Sequence, residues 1–164
     1  MQARELMTRD VVTVRPDATI REAARTMDDL NVGALPVCDG RRLVGIVTDR
    51  DITVRATADG MLPDTTLVRA VMSEDVCWCF EDDGVDEIER AMAHRQIRRM
   101  PVVDRAKRLV GMVALGDLAT DGAPGTNEAL RSISQPSRPR RPGPTTDYRD
   151  APWPPYGSGP LPRG

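Results

Sequence analysis

Over the first sixty residues, apolar and polar positions alternate with two different periods. Val12 and Val14 flank Thr13 in the period-two pattern of a short strand, and Pro16 ends it. Ile20, Ala23, Ala24, Met27 and Leu30 then recur at helical spacing. Thr19 and Glu22 stand at the head of that helix at the spacing of a capping box, in which each side chain bonds the other residue's backbone N–H. Asn31-Val-Gly33 closes it. The apolar run 34–38 meets the turn pair Asp39-Gly40, and 42–47 is a second run with β-branched residues, so the two are predicted to pair as a hairpin. Thr48 and Asp51 repeat the capping-box spacing at the start of a second helix, expected to reach about Ala58 ahead of Gly60.

The same order returns at a shift of 65 positions. Met7-Thr-Arg-Asp-Val11 comes back as Met72-Ser-Glu-Asp-Val76, and Ala34-Leu-Pro-Val-Cys-Asp39 as Arg99-Met-Pro-Val-Val-Asp104. After one inserted residue, Leu43-Val-Gly-Ile-Val47 returns as Leu109-Val-Gly-Met-Val113. Val85, Ile88, Ala91 and Met92 carry the first helix of the second copy, and a short helix begins near Asp117, ending at Thr120 or completed by 128–133. This predicts an α/β fold of the α+β type, built from two β-α-β-β-α repeats. One repeat leaves a sheet face exposed, whereas two bury those faces against each other around a pseudo-twofold axis. The expected division is 1–60 for the first motif, 61–121 for the second and 122–164 for a tail.

Composition sharpens that division, because ten of the fourteen prolines lie beyond residue 121. The tail, with Gln-Pro-Ser-Arg-Pro-Arg-Arg-Pro after Ser134, cannot bury enough apolar surface to offset the entropy of ordering. It reads as flexible, the alternative being a polyproline ligand for a partner domain. In the first 120 residues the aromatics are Trp78 and Phe80, so the core is aliphatic. Trp78 aligns with Thr13 and is expected to face away from that core. The net charge of −2 gives no pull toward nucleic acid or membrane. Three cysteines make no even disulfide framework, and the N-terminus has no apolar leader, so a soluble protein in a reducing cytoplasm is expected.

The segments Asn31-Val-Gly-Ala-Leu-Pro-Val-Cys38, Gly45-Ile-Val-Thr-Asp-Arg-Asp-Ile52 and Gly111-Met-Val-Ala-Leu-Gly-Asp-Leu118 resemble the CBS (cystathionine β-synthase) motif family over residues 1 to about 120. The chain is most similar in kind to stand-alone actinobacterial pairs of such motifs. The resemblance implies a Bateman module, in which two motifs clasp around two clefts and two modules stack as a disc-shaped homodimer. Ile52, Val54 and Met61 lie on or near the helix that would form that contact. It also implies a regulatory role, in a stress-response setting, with AMP, ATP or another adenosyl compound as ligand and with an unidentified downstream protein partner.

Carried over residue by residue, Asp51 and Asp117 match the family's ribose position, where one carboxylate accepts from both hydroxyls of a diol. Thr48 matches the accompanying hydroxyl, and Ala114 stands in its place in the second copy, a loss on the order of 0.5 to 1.5 kcal/mol. The resemblance implies one cleft with Asp117, Val32, Gly33, Arg98 and Arg99, the arginines serving a phosphate. It implies another with Thr48, Arg50, Asp51 and Ile97. The plainer reading of Asp51 is a helix cap, and that of the arginines a solvated face.

An enzyme is not indicated. The first 120 residues hold one His (His94), one Ser (Ser73) and no phosphate loop, so no nucleophile, base and orienting acid assemble at motif spacing. Cys38, Cys77, Cys79 and His94 are ligand types that zinc prefers. Their alignment with apolar positions of the first copy makes Cys77 and Cys79 small core residues instead. A scaffold that contacts other macromolecules without any small ligand is the remaining alternative.

Overall fold

The computed structural model of the chain describes residues 1–120. The expected tail over 122–164, its polyproline reading and the helix completed by 128–133 lie outside the described residues.

In the first copy, α2 (Ile20–Leu30) starts at the Thr19 capping box, where both reciprocal bonds form, and stops at Asn31 in the left-handed conformation (φ 51°). β1 (Ala34–Asp39) and β2 (Arg42–Thr48) form the antiparallel hairpin, with Gly40 at φ 59° in its turn. α3 (Asp49–Asp51) begins at the Thr48 capping box. The second copy repeats this with β3 (Cys79–Phe80), α4 (Val85–Arg95), β4 (Arg99–Val103), β5 (Leu109–Ala114) and α5 (Leu115–Thr120). Gln96 stops α4 at φ 53°, as Asn31 stops α2. Even the irregularities coincide, since each hairpin carries a register shift at the equivalent step, Val37/Cys38 and Val102/Val103.

Several expectations need correction. The strand over Val12–Val14 shrinks to one residue: Val14 donates to Pro36 O and accepts from the Cys38 N–H, while Val12 is exposed. Leu30 is also exposed rather than core, because the helix has rotated it past the buried face of Ile20, Ala23 and Met27. The helix expected to reach Ala58 is α-helical only through Asp51 and continues as a π-helical turn, Ile52–Thr57, closed by Ala58 N–H to Thr53 O. Its β-branched Ile52, Thr53, Val54 and Thr57 crowd an α-helix at χ1 and favour the looser winding.

Two exchanges tie the copies together. The leader with α1 (Ala3–Leu6) places Ala3 and Met7 in the second copy's core, beside Ile88, Met92 and Met100. The equivalent segment of the second copy, with the 3-10 turn Val68–Ala70, places Val68 and Val71 in the first copy's core, beside Ile20, Val37 and Val47. Thr8 and Met112 exchange both backbone bonds, and Ser73 and Ile46 do the same across the pseudo-twofold.

At the axis itself, Leu43 N–H donates to Lys107 O and Leu109 N–H to Arg41 O, which joins the two hairpins directly. A third apolar cluster of Cys38, Leu43 and Val103 forms beneath that junction. Trp78 packs there, half-buried, with its ring 5.0 Å from that of Phe80 and edge-on. The expectation that it faces away from the core is therefore wrong. The alternation within one strand cannot register a core that the other copy supplies.

Candidate functional site

The leader exchange opens a cleft between the copies. Residues 8–12 cross β5 and then turn away through Asp10, whose φ of 56° is left-handed. A cavity of about 370 Å³ lies along this turn. That is within the range of small-molecule sites. The leader supplies Thr8, Asp10, Val11 and Val12 to its wall. The end of α2 and the start of β1 supply Leu30, Val32, Ala34, Leu35 and Pro36. The second copy supplies Arg99, Met112, Ala114 and Asp117.

The walls are mostly aliphatic, with charge at three points: Asp10, Arg99 and Asp117. Asp117 is held by one of its own oxygens, since Ala114 N–H donates to Oδ2 at 2.8 Å, half of a capping box whose other half Ala114 cannot provide. The carboxylate is thus fixed at the start of α5 and half-buried. An aliphatic slot with a fixed carboxylate and a guanidinium can take a flat apolar group, accept from hydroxyls and donate to an anion.

Of the residues expected in this cleft, Val32, Arg99 and Asp117 meet there. Gly33 lies in a neighbouring groove with Asp28, Asn31 and Asp49. Arg98 is exposed, and its carbonyl accepts from Leu115 N–H, as Gly33 O accepts from Asp49 N–H. On the other side of the pseudo-twofold, Thr48 and Asp51 form a complete capping box, with Asp51 N–H to Thr48 Oγ1 at 3.1 Å and Thr48 N–H to Asp51 Oδ2 at 2.9 Å. Arg55 approaches the second Asp51 oxygen at 3.8 Å. Arg50 is exposed, and Ile97 packs at the margin of the second copy's core.

Sequence reasoning did not find the contributions of residues 8–12, Leu30 or Met112. The repeat of Met7–Val11 at Met72–Val76 marked the leader as part of each unit. Its crossing onto the opposite copy is a tertiary event with no local signature.

The soft ligands do not converge. Cys38 belongs to the cluster under the hairpin junction, Cys79 to the second copy's core, and His94 is exposed on α4. Burial pushes the Cys38 thiol up to about 11 and the Cys79 thiol up to about 12, which keeps both protonated. Cys77 is half-buried rather than fully core, and burial raises it too. Among the described residues no group of three His, Cys, Asp or Glu side chains is placed to hold a metal ion. No helix among them is long and apolar enough to cross a membrane.

Comparison with known proteins agrees with this architecture. The family described as CBS domain matches residues 3–56 and 68–121. The CBS domain-containing protein YhcV of Bacillus subtilis is 45% identical over 118 residues, covering 72% of this chain and 83% of that one. Hypoxic response protein 1 of Mycobacterium tuberculosis is 35% identical, covering 71% of this chain and 82% of that protein. A crystal structure of Hypoxic Response Protein I with two coordinated zinc ions superimposes with a TM-score of 0.68 at 34% identity, over 73% of this chain and 98% of that one. The CBS domain pair of protein MJ0100, in complex with 5-methylthioadenosine and S-adenosyl-L-methionine, gives a TM-score of 0.64 at 29% identity, over 73% and 94% of the two chains.

Proposed function

The chain belongs to the CBS-domain family as a tandem pair of motifs, and on that premise we propose that it is a regulatory module, without a catalytic step, that binds an adenosyl ligand of the AMP or ATP type between its copies. The observation that carries this reading is the cleft of about 370 Å³ in which Val32 of one copy faces Arg99 and Asp117 of the other. The fixed Asp117 carboxylate suits the two hydroxyls of a ribose. The aliphatic walls suit an adenine, and Arg99 suits a phosphate. The adenosyl ligands in the MJ0100 structure support the same ligand class.

Thr48, Arg50, Asp51 and Ile97 stand around the pseudo-equivalent second site, and Gly33 and Arg98 lie at the margins of the first. The functional units in this reading are the motifs 1–60 and 61–121, acting in the cytoplasm as a homodimer that signals to a protein partner. The zinc ions in the structure of Hypoxic Response Protein I raise a metal-binding alternative. The separation of Cys38, Cys79 and His94 gives it no donor set among the described residues.

A thermal-shift panel of AMP, ATP, S-adenosylmethionine and zinc tests the proposal. An adenosyl ligand at a hundred times its dissociation constant adds about 2.7 kcal/mol to folding stability, a clear rise in melting temperature. No rise with any adenosyl compound at millimolar concentration would leave the ligand-free scaffold as the better reading.

A further inference from the structure

Val32 is a wall of two spaces: the Asp117 cleft, and an open groove of about 330 Å³ whose lining includes Asp28, Asn31, Gly33 and Asp49. The groove forms where α2 stops and α3 starts. Gly33 leaves room in it, since a Cβ there would stand 3.1 Å from Asp49 Oδ2. The last turn of α2 holds Asp28 and Asp29 and no basic residue, at the helix end where the dipole favours cations. α4 follows the rule and ends on His94 and Arg95. Asp49 accepts from the N–H of Arg50 at 2.7 Å. Among the described residues neither Asp28 nor Asp49 is in an ion pair, although Arg25 and Arg50 are close by in the chain. Cleft and groove together are lined by the carboxylates of Asp10, Asp28, Asp49 and Asp117 against one guanidinium, that of Arg99, and Arg98 lines neither space.

We propose that the Asp117 cleft selects, among adenosyl compounds, one with a zwitterionic amino-acid tail: Arg99 takes the tail's carboxylate, Asp28 and Asp49 draw its ammonium into the groove past Val32, and phosphate chains are disfavoured. A carboxylate gives a guanidinium the same two-point bond as a phosphate, so Arg99 by itself does not discriminate between them. The sign of the rest of the tail decides. Each phosphate beyond the first brings more negative charge to a mouth that is already negative, whereas an ammonium meets carboxylates without an ion pair and the negative pole of α2. Asp28 and Asp49 are exposed, and one unit charge at about 7 Å in such surroundings shifts an affinity by roughly threefold to tenfold. The selectivity comes from several such charges acting with one sign. The inference rests on the adenosyl reading of the Asp117 cleft and narrows it by the chemistry of the tail, with Asp28 and Asp49 as specificity-determining residues.

The test titrates S-adenosylhomocysteine, AMP and ATP separately into the full chain by calorimetry, with EDTA present so that no divalent cation bridges phosphates to the carboxylates. The expected order of affinity is S-adenosylhomocysteine, then AMP, then ATP, with the first at least about tenfold ahead of the last. Asp28→Asn combined with Asp49→Asn should weaken S-adenosylhomocysteine several-fold and tighten ATP several-fold. A merely structural role would move both in the same direction. Asp28→Asn alone should give the same pair of opposite shifts at smaller size, which keeps the test intact if the double variant folds poorly. Raising sodium chloride from about 0.05 to 0.5 M should narrow the gap between the two ligands.

AMP or ATP binding as tightly as S-adenosylhomocysteine would overturn this inference alone and leave the adenosyl reading standing. So would substitutions that leave both ligands unchanged or shift them in one direction. No heat with any of the three probes at millimolar concentration would defeat both.

Discussion

A Cβ added to Gly111 would stand 2.5 Å from the sulfur of Met7, a residue of the other copy's leader, and 3.0 Å from the carbonyl oxygen of Thr8. Gly45 repeats the relation with Met72 at 2.8 Å and Ser73 O at 3.0 Å. These glycines are the points where each leader crosses the opposite hairpin, and the paired bonds of Thr8 with Met112 and Ser73 with Ile46 form one residue further along the strand.

Gly111→Ala and Gly45→Ala should each therefore destabilise the fold by about 1 to 3 kcal/mol, because the neighbouring backbone oxygen cannot move aside as a side chain could. Chemical denaturation reads this directly. A change under a few tenths of a kcal/mol would mean that the leaders are not held against the strands. Gly84 and Gly116, with nothing within 4 Å of an added Cβ, are the matched controls.

Ala114→Thr should restore the half of the capping box that the second copy lacks. The new hydroxyl can accept from Asp117 N–H as Thr48 Oγ1 accepts from Asp51 N–H. The expected gain is about 1 kcal/mol in stability. Thr48→Ala should lose a similar amount. Equal melting temperatures for wild type and both variants would show that the caps contribute nothing.

The surface after α3 carries Val54 at 51%, Met61 at 40% and Leu62 at 67% exposure, whereas Ile52 packs inward on the first copy's core. This favours dimerisation through Val54 and Met61. Light scattering at tens of micromolar should give twice the chain mass for the wild type and the chain mass for Val54→Asp with Met61→Glu. A monomeric wild type would contradict it.

Acid should unfold the protein in a defined order of causes. The Thr19 backbone N–H holds Glu22 below its ordinary value of 4.5, and the backbone N–H of Arg108 holds Asp104 below 3.8. Groups depressed in the folded state contribute stability that is present above those ordinary values and is lost as pH falls through the lower folded ones. Stability should therefore be flat from neutrality to about pH 5 and decline below about pH 4. Glu22→Gln and Asp104→Asn should each flatten the decline. An unchanged acid slope in both would remove these carboxylates from the account.

The repeat carried most of the fold in its residues. Thr19 with Glu22, Asp39 with Gly40, and Thr48 with Asp51 are local signals that predict a cap or a turn without reference to the rest of the chain, and all three appear as expected. What failed, failed at the seam between copies. Trp78 is half-buried against a cluster that both hairpins build, Val12 is left exposed by a strand reduced to one bridge, and Leu30 forms a cleft rim instead of a core. Each outcome depends on where the other copy docks, and periodicity within one copy does not encode that. The cleft was half legible for the same reason. Asp117 and Val32 followed from the family motif, while Thr8, Asp10 and Met112 follow from the leader crossing.

The most direct test of the central claim is calorimetric titration of AMP into the wild type and into Asp117→Asn. The amide can still accept from Ala114 N–H, so the start of α5 is preserved while the charge and one hydroxyl acceptor are lost. The account predicts saturable heat in the wild type and, for the variant, affinity at the first cleft weakened at least about tenfold, corresponding to loss of one charge-assisted bond, with the melting temperature of the free protein nearly unchanged. AMP binding of equal strength in the two proteins, or no binding to either at millimolar concentration, would contradict it.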